Sequence, residues 1–561
     1  MKIKAIIYDL DDTLYDCSGT LVDAARKRAA NAMIKTGLKL SEKQILEKIE
    51  DIEKRYGKRI NLFDKICEEA NVDKSIGAKG LEAYNADVVE DIKLFPDVLS
   101  TLNALKDIKH IIITTGKRTR QELKIQKLGI KDKFDYILIN ELEDGLSKEN
   151  CFKLIMEKFS LKPNQIIVVG DRIQSEIKVG NQLKMNTIQL LHGRYKDLIP
   201  KNDLEEPDYK IKSISELINL TKDIEVKNIV QNQKIVVIGG GTGLPTVLEG
   251  LKKYTSNLTA VVTVTDSGRS SGMLRKDLDI PPPGDIRNCL VALSNAEREL
   301  SSLFQYRFEN GSLEGHSFGN LLIAALTKTT GSFEKAIKEV SKILNIKGKV
   351  LPSTLENVHI CAEFEDGKII KEEDNIIDRE NQNVHLRSKI KRVFLSKEAE
   401  ACKEAVDEIQ KADMVVIGPG SLFTSVITNL LIKGIKEAIV NSKAKKVYIC
   451  NITAQPCQTY GFKASDHIKK IINYLGQDVL DYAILNNKAP SYETLKKYEE
   501  EGASLVENDS EEIKKLGINV IEEDLLEKDT EKRVLFQKKY LLRHDSDKIA
   551  SLIKSIILNT N

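Results

Sequence analysis

Several features that mark other classes of protein are missing from this sequence. The formal net charge is only +2, from 86 basic and 84 acidic side chains, so no overall positive field attracts nucleic acid or an anionic membrane. The eight cysteines form no CxxC pair, which argues against a disulfide framework or structural zinc. No apolar run approaches the ~18 residues of a membrane span, and the opening MKIKAIIYDL lacks a secretory pattern. These absences predict a soluble cytoplasmic protein that neither binds nucleic acid nor spans a membrane.

The length of the chain points to more than one domain. At 561 residues it exceeds the size at which one hydrophobic core stops growing, roughly 250–300 residues. Short β-branched segments such as KAIIYD, HIIITT and QIIVVGD alternate with helix-period segments through the chain. Such alternation predicts parallel sheets with helices on both faces, so both halves are expected to be Rossmann-like α/β domains.

Changes in pattern give the expected domain boundaries. Residues 1–222 are predicted to form the first domain and residues 233–561 the second, with a polar linker at 223–232 where strand and helix signals fade. Between about 15 and 95 the residues favour helix and include no strand candidate. This segment is predicted to be a small α-helical cap, inserted after the first strand, where a lid over a site can be mounted.

The first domain contains the groups that phosphoryl transfer requires. Asp9 and Asp11 follow the first predicted strand, at the edge where open parallel sheets place ligands. One carboxylate can attack phosphorus while the other handles protons, and added positive charge is needed because a carboxylate and a phosphate repel each other. A hydroxyl, a cation and two further carboxylates follow later strands: Thr114, Lys148, Asp171 and Glu176.

These motifs, in this order, resemble those of the haloacid dehalogenase superfamily over about residues 1–220. The resemblance implies a phosphatase acting on a phosphorylated small molecule, with Asp9 as the nucleophile and Asp11 as general acid and base. It further implies that Thr114 and Lys148 bind the phosphate. The implied cofactor is Mg²⁺, held by Asp9, Asp11, Asp171 and Glu176.

Two positions depart from the superfamily pattern. Thr115 replaces the asparagine common after the second-motif hydroxyl, and Glu176 stands where many members have aspartate. Neither change removes an essential charge. Taken singly, each carboxylate is more often a helix cap and Lys148 a solvated surface residue. The complete set, in order and spacing, favours a phosphoryl-transfer site over that interpretation.

The second half opens with KIVVIGGGTGLPTVLEGLKKY, which predicts a buried strand, a glycine-rich turn and a helix. Gly240, Gly241 and Gly243 allow the backbone to approach a phosphate, and the helix amino terminus offers unpaired N–H groups. Thr242 can add a hydroxyl. Leu244 occupies the place of the third glycine of a dinucleotide signature, so a turn without any ligand is an equally good explanation of this segment alone.

Later segments strengthen the prediction of a ligand site. Each places small residues, hydroxyls or an amide after a strand, and we expect them to meet in one crevice at the carboxyl edge of a sheet. The residues predicted to contact the ligand there are Asp266 in VTVTDSGRSSG, Asn320 in GHSFGN, and Gly420 and Ser421 in GPGSLFTS. Asp285 and His316 are weaker candidates, because a helix cap and a core histidine explain them equally well.

Residues 234–560 resemble the gluconeogenesis factor family, also called YvcK, which is related to the 2-phospho-lactate transferases of coenzyme F420 synthesis. The resemblance implies binding of UDP-N-acetylglucosamine or UDP-glucose, with roles in growth on gluconeogenic carbon sources and in cell shape or wall synthesis. By matching segment, Thr242, Tyr498 and Arg543 correspond to the family's nucleotide-sugar contacts. Gln458 stands in place of the family's glutamate, within Cys457-Gln458-Thr459, and puts in doubt any role there that needs a carboxylate.

Two functions of the second half remain open from the sequence. The long motifs favour a non-catalytic nucleotide-sugar sensor joined to the phosphatase. The alternative is an enzyme that transfers a phosphoryl-containing group, as the related 2-phospho-L-lactate transferases do. The side chain of Arg269 either binds an anion or lies on the surface. A homo-oligomer is compatible with the sequence, and the phosphatase substrate depends on cap side chains that the pattern does not place.

Overall fold

The computed structural model describes residues 2–56, 61–89, 92–141, 146–377, 388–455, 458–500, 503–527 and 542–560. Within them the chain forms two compact units, Met1–Ile229 and Val230–Asn561. Each unit is built on a central parallel sheet, which confirms the predicted α/β class. No helix in the described ranges is both long and apolar enough to cross a membrane.

The first unit contains a six-stranded parallel sheet. Its strands are β1 (Ala5–Tyr8), β2 (Lys109–Thr115), β3 (Tyr136–Asn140), β4 (Ile166–Gly170), β5 (Asn186–Leu190) and β6 (Tyr209–Ile211). The order across the sheet is β3-β2-β1-β4-β5-β6, so the direction of winding reverses between β1 and β4. Ligands of open α/β sheets bind at such a reversal point. The sequence predicted the first five strands, and the short β6 was missed.

Strand β1 shows why this sheet is covered on both faces. Ile6 and Tyr8 belong to one buried apolar cluster, and Ala5 and Ile7 belong to another. Successive side chains of a strand point to opposite faces, so both faces of the sheet are packed against helices. This explains the unbroken apolar run that precedes Asp9.

The helices of the first unit are α1 (Asp23–Lys35), α2 (Glu42–Tyr56), α3 (Leu62–Ala70), α4 (Lys74–Tyr84), α5 (Val98–Ala104), α6 (Arg118–Leu128), α7 (Lys148–Lys158), α8 (Lys178–Gln182) and α9 (Leu217–Asn232). The first four form the inserted helical segment expected between about 15 and 95. They share an apolar core of their own, which includes Met33, Ile49 and Phe63. The insertion is therefore a small helical subdomain rather than a loose loop.

The segment predicted as a polar linker, 223–232, lies within helix α9. The positions of this helix that face the interior include Leu217, Thr221, Ile224 and Asn228, a helical spacing of four, three and four. Two of the four are polar, which weakens the apolar periodicity in the sequence. Helical structure was therefore missed there because hydrophobicity alone marks the buried face poorly.

The second unit contains a seven-stranded parallel sheet. Its strands are β7 (Ile235–Gly239), β8 (Leu258–Val262), β9 (Lys349–Pro352), β13 (Met414–Ile417), β14 (Lys445–Ile449), β16 (Tyr482–Asn486) and β18 (Asn519–Glu523). The order is β18-β16-β14-β13-β7-β8-β9, which is the doubly wound order with its reversal point between β7 and β13. The glycine turn and the GPGS segment follow these two strands.

Helices surround this second sheet. They are α10 (Gly243–Leu251), α11 (Arg269–Leu278), α12 (Gly284–Leu293), α13 (Arg298–Gln305), α14 (Phe318–Thr330), α15 (Phe333–Ile343), α16 (Glu373–Ile377), α17 (Lys403–Gln410), α18 (Thr428–Leu430), α19 (Ile435–Asn441), α20 (Ala464–Leu475), α21 (Tyr492–Glu500), α22 (Ser510–Lys514) and α23 (Ser546–Thr560). Helices α10 and α23 approach closely, since a Cβ on Gly250 would lie 2.1 Å from the carbonyl oxygen of Ser546.

Two antiparallel sheets lie outside the expected parallel architecture. Strands β10 (Ile360–Phe364), β11 (Ile369–Lys371) and β12 (Ile390–Leu395) form one, and β15 (Thr453–Ala454) pairs with β17 (Ser504–Leu505) in the other. The first sheet was missed because its strands lie among charged residues, and the second because its strands have only two residues each. The three-stranded sheet nevertheless positions α16, whose Glu373 belongs to the second candidate site.

Candidate functional site

The first candidate site lies at the reversal point of the first sheet, where β1 and β4 run side by side. Asp9 directly follows β1 and Asp171 directly follows β4. Lys148 begins α7, and its Nζ lies 3.6 Å from Oδ1 of Asp9. Helix α7 is capped by Ser147, whose Oγ accepts a hydrogen bond from the backbone N–H of Asn150 at 3.1 Å. This cap fixes the start of the helix that presents the lysine.

Lys148 compensates two buried carboxylates. Besides approaching Asp9, it forms an ion pair with Glu176, whose Oε1 also accepts a hydrogen bond from Ser175 Oγ at 2.9 Å. Burial lowers the pKa of Lys148, against the opposing charge of Asp9. Burial raises the pKa of Asp9, against the charge of Lys148. The pair therefore places a cation beside a carboxylate in a site with little water.

Asp171 and Glu176 have unused hydrogen-bonding capacity. Asp171 Oδ1 and Glu176 Oε2 are buried atoms for which the described residues provide no hydrogen-bond partner. Burial, together with the charges of Asp9 and Asp12, raises the pKa of Asp171 to about 8. Buried carboxylate oxygens of this kind fit a hard divalent cation such as Mg²⁺, which prefers oxygen ligands.

The carboxylate of Asp11 is held by three other side chains. Lys124 Nζ lies 2.8 Å from each of its oxygens, the hydroxyl of Tyr15 donates to Oδ1 at 2.6 Å, and Gln121 Nε2 approaches Oδ2 at 3.4 Å. Burial would raise the pKa of Asp11, but the charge and hydrogen bonds of Lys124 outweigh it and the pKa is lowered. Gln121 also donates to Thr114 Oγ1 at 3.1 Å.

The structure thus brings together all six residues predicted for this site, and it adds Lys124, Gln121 and Tyr15. Sequence analysis missed these three. A signal was present, because Gln121 and Lys124 share the inward face of α6 with Ile125 and Leu128. A polar pair on the apolar face of a helix at a spacing of three indicates a buried polar partner.

A second group of possible metal ligands lies nearby. Asp12, Asp16 and His192 place ligand-type atoms within 4.8 Å of one another. Both oxygens of Asp12 already accept hydrogen bonds from Ser18, from the backbone N–H at 2.7 Å and from Oγ at 2.5 Å. Asp12 therefore stabilises the turn that leads into the helical insertion through its two hydrogen bonds with Ser18.

In the second unit, the two loops at the reversal point are in direct contact. A Cβ on Gly243 would lie 2.3 Å from the carbonyl oxygen of Pro419, and one on Gly420 would lie 3.3 Å from that of Gly240. The backbone N–H of Gly241, whose φ is +63°, donates to Asp285 at 2.7 Å. Only glycine permits the approach at 243, so the glycine turn and the GPGS loop form one surface.

Three acidic side chains gather beside this surface. Burial raises the pKa of Asp285 to about 7, with a further contribution from the charge of Asp266. Burial also raises the pKa of Asp266 and that of Glu373, where the charges of Asp266 and Asp285 add to the effect. Glu373 was missed in the sequence because it lies in the charged tract KEEDN, which looks like exposed surface. An anionic ligand binds here only with added positive charge.

Arg287 supplies buried positive charge next to these acids. Its guanidinium donates to Asn320 Oδ1 at 3.0 Å, to Asn288 Oδ1 at 2.8 Å and to Ser317 Oγ. Burial lowers the pKa of Arg287 to about 10. The amide of Asn320 donates in turn to Ser270 Oγ at 3.1 Å. Asn320, predicted as a ligand contact, is thus part of a buried network that joins α11, α12 and α14.

The loops after β13 and β14 also meet. The backbone N–H of Gly420 donates to Asn451 Oδ1 at 3.3 Å. Ser421 Oγ donates to Gln458 Oε1 at 2.7 Å and accepts from Thr424 at 2.7 Å. Gln458, at the position where the resemblance implies a glutamate, therefore has a hydrogen-bonding role without a charge.

Of the three contacts inferred by matching segment, the structure describes two. Thr242 is exposed at the amino-terminal end of α10. Arg543 is half-buried and precedes His544, whose Nε2 donates to the carbonyl oxygen of Cys450 at 3.0 Å, next to the end of β14. The side chains of Tyr498 and Arg269, as well as Cys457, lie outside the described residues.

Comparison with known proteins agrees with both halves. The family model for 2-phospho-L-lactate transferase CofD matches residues 235–526, just over half of the chain. The chain belongs to the CofD family. Outside this CofD-family region, the model for haloacid dehalogenase-like hydrolases matches residues 3–183. The protein is therefore a haloacid dehalogenase-like hydrolase domain fused to a CofD-type domain.

Gluconeogenesis factors are similar to more than half of the chain. The gluconeogenesis factor of Bacillus subtilis is 44% identical over 329 residues, which cover 58% of this chain and 99% of that protein. The gluconeogenesis factor of Halalkalibacterium halodurans is 46% identical over 327 residues, with coverage of 58% and 96%. A crystal structure of a Bacillus halodurans protein of the upf0052 family superposes with a TM-score of 0.53, at 45% identity over 57% of this chain and 99% of that one. These alignments cover almost the whole length of each relative.

Proposed function

We propose that the first unit is a magnesium-dependent phosphatase that hydrolyses phosphate monoesters of small molecules. The observation that carries this proposal is the placement of Asp9 beside Lys148, at the reversal point of the sheet, next to an Asp171 oxygen for which the described part of the chain offers no hydrogen-bond partner. A nucleophilic carboxylate, a cation to neutralise the phosphate and two further carboxylates suited to a metal ion are the parts that phosphoryl transfer needs.

Each protein group has a defined part in the proposed reaction. A carboxylate oxygen of Asp9 bonds to phosphorus while the bond to the ester oxygen breaks. Asp11, which must first take up a proton against its lowered pKa, supplies that proton to the ester oxygen. Asp11 then takes a proton from the water that cleaves the aspartyl-phosphate. Lys148 and the hydroxyl of Thr114 bind phosphoryl oxygens, where developing charge is stabilised.

The residues suited to hold magnesium are Asp9, Asp171 and Glu176. When bound, the ion would neutralise charge on the phosphate and on the attacking carboxylate. The carboxylate of Asp11 is a weaker candidate ligand than the sequence suggested, because Lys124 contacts both of its oxygens.

A generic aryl phosphate tests the first proposal. The full chain should hydrolyse it with magnesium and lose that activity with EDTA. Asp9→Asn, which removes the nucleophile but keeps the side-chain shape, should reduce kcat by at least about 1,000-fold. Equal hydrolysis by wild type and Asp9→Asn would show that the activity comes from another source and would overturn the proposal.

We further propose that the second unit binds a UDP-sugar, with UDP-N-acetylglucosamine or UDP-glucose as the ligand. The close packing of the glycine turn on the GPGS loop supports this, because it leaves the amino terminus of α10 facing the reversal point. The gluconeogenesis-factor relatives support a part in carbon metabolism, and a link to cell shape or wall synthesis is proposed with it. The three partly buried acids, Asp266, Asp285 and Glu373, require that positive charge accompany the diphosphate, from Arg287 or from a divalent cation.

The second candidate function is a 2-phospho-L-lactate transferase, which the description of the matching family model favours. The ligand that the second unit binds distinguishes this function from UDP-sugar binding. Isothermal titration of the full chain with UDP-N-acetylglucosamine, UDP-glucose and GDP, each with magnesium and with EDTA, should show binding of a UDP-sugar that weakens in Arg543→Ala. Binding of GDP alone, with turnover of a lactyl-diphospho-guanosine donor and a deazaflavin acceptor, would favour the transferase.

A further inference from the structure

Lys124 is a cation enclosed by the first unit, at a position of α6 where a core residue is expected. It is 4% exposed and lies on the same helix face as Gln121, Ile125 and Leu128. Removing an ammonium group from water is costly, and a buried ion pair often contributes no more stability than apolar residues of similar size. Stability alone therefore explains this lysine poorly, which favours a part in the chemistry of the neighbouring site.

The contacts of Lys124 are directed at Asp11. Its Nζ lies 2.8 Å from both carboxylate oxygens, while Tyr15 donates to Oδ1 at 2.6 Å and Gln121 approaches Oδ2 at 3.4 Å. A carboxylate contacted at both oxygens from several sides is restricted to one orientation. Catalytic groups need such support, because they must be held within about 0.5 Å of the productive geometry.

Gln121 connects this arrangement to the phosphate-binding hydroxyl. Its amide nitrogen lies 3.1 Å from Thr114 Oγ1 and 3.0 Å from the carbonyl oxygen of Thr115. One side chain thus contacts both the group proposed to bind phosphate and the group proposed to transfer protons. The inward face of α6 therefore fixes the geometry of two parts of the site that are 103 positions apart in the chain.

We propose that Lys124 is a positioning residue for Asp11. The inference rests on the proposed phosphatase function and concerns the orientation of the Asp11 carboxylate. By holding both oxygens, Lys124 fixes the orientation of the carboxylate that transfers protons in both half-reactions. Misplacement of a catalytic group by about 1 Å can cost about 100-fold in rate.

Steady-state kinetics of the full chain on an aryl phosphate test this inference. Lys124→Met should lower kcat by about 10- to 100-fold while KM changes less than about twofold, because phosphate binding by Thr114 and Lys148 is retained. Lys127→Met, an exposed position on the same helix, is the matched control and should leave both constants unchanged. If Lys124→Met does not fold, Lys124→Gln keeps a donor without the charge and should still lose about 10-fold in kcat.

A double-mutant cycle separates positioning from a general structural effect. If Lys124 acts through Asp11, then Lys124→Met should cause no further loss of kcat in an Asp11→Asn background. Equal losses in the two backgrounds, or wild-type kcat in the folded Lys124 variants, would overturn the inference while the phosphatase function stands. Absence of Asp9-dependent hydrolysis in the wild type would instead overturn the phosphatase function, and the positioning role with it.

Discussion

His544 is a neutral imidazole enclosed in the second unit, and its protonation couples stability to pH. Burial lowers the pKa of His544 to about 4, although its hydrogen bond to the Cys450 carbonyl opposes the shift. Between about pH 4 and 6.5 the unfolded chain binds a proton that the folded chain does not. The free energy of unfolding therefore decreases as the pH falls through this window.

We predict that His544→Gln reduces this pH dependence. The wild type should lose up to about 1.4 kcal/mol of unfolding free energy per pH unit from this group as the pH falls. Urea unfolding of wild type and variant across the window measures the difference. His192→Gln, at a partly exposed position, is the control and should follow the wild type. Parallel pH curves for wild type and His544→Gln would contradict the assigned cause.

At the scale of elements, the start of α7 links local helix capping to catalysis. Ser147 caps the helix whose first residue is Lys148. Ser147→Ala should cost about 1 kcal/mol of unfolding free energy and should also lower kcat, because the lysine loses its fixed starting position. Denaturant unfolding and phosphatase kinetics measure the two effects.

The matched control for this prediction is Ser332→Ala. Ser332 caps α15 in the second unit through the backbone N–H of Lys335, at 3.3 Å. A similar loss of stability is expected there, with phosphatase kinetics unchanged. If both variants lowered kcat equally, the effect would be one of general stability and not of the position of Lys148.

The contact between the two loops of the second unit gives another prediction at this scale. Gly243→Ala would force a Cβ to within 2.3 Å of the Pro419 carbonyl oxygen, so we expect about 1–3 kcal/mol of destabilisation and loss of UDP-sugar binding. Gly239→Ala is the matched control, since its Cβ would meet its neighbours at 3.7 Å or more. Calorimetric titration should show near-normal binding for Gly239→Ala. Normal binding by Gly243→Ala would argue against a ligand at these loops.

At the scale of the whole molecule, the two units have separate cores. The described chain divides at Ile229 and Val230, and each unit has its own parallel sheet. A ligand that binds one folded unit should therefore increase the free energy of unfolding of that unit. The increase is about 2.7 kcal/mol when the ligand is present at 100 times its dissociation constant.

We predict two separable transitions in differential scanning calorimetry of the full chain. A UDP-sugar should raise one of them, and magnesium with a phosphate analogue should raise the other. Arg543→Ala should abolish the first shift and Asp171→Asn the second. A single transition raised equally by both ligands would show that the two units unfold as one.

Most of the fold could be predicted because its signals are local. Runs such as AIIY and IVVIG indicate buried strands without reference to the rest of the chain. The structure has them as strands β1 and β7, respectively. Residues that follow the carboxyl ends of parallel strands must meet at one edge. For this reason the sequence alone brought Asp9, Thr114 and Asp171 to the same predicted site.

Other features depended on which faces pack together. Lys124 contacts Asp11 across 113 positions, and Glu373 joins Asp266 and Asp285 from helix α16. Sequence periodicity marks a buried face but does not identify the partner of a polar side chain on that face. The sequence thus determined the two sheets and the residues at their edges. The tertiary structure decided which buried charges compensate one another, because electrostatic pairing depends on distance in space and not on separation along the chain.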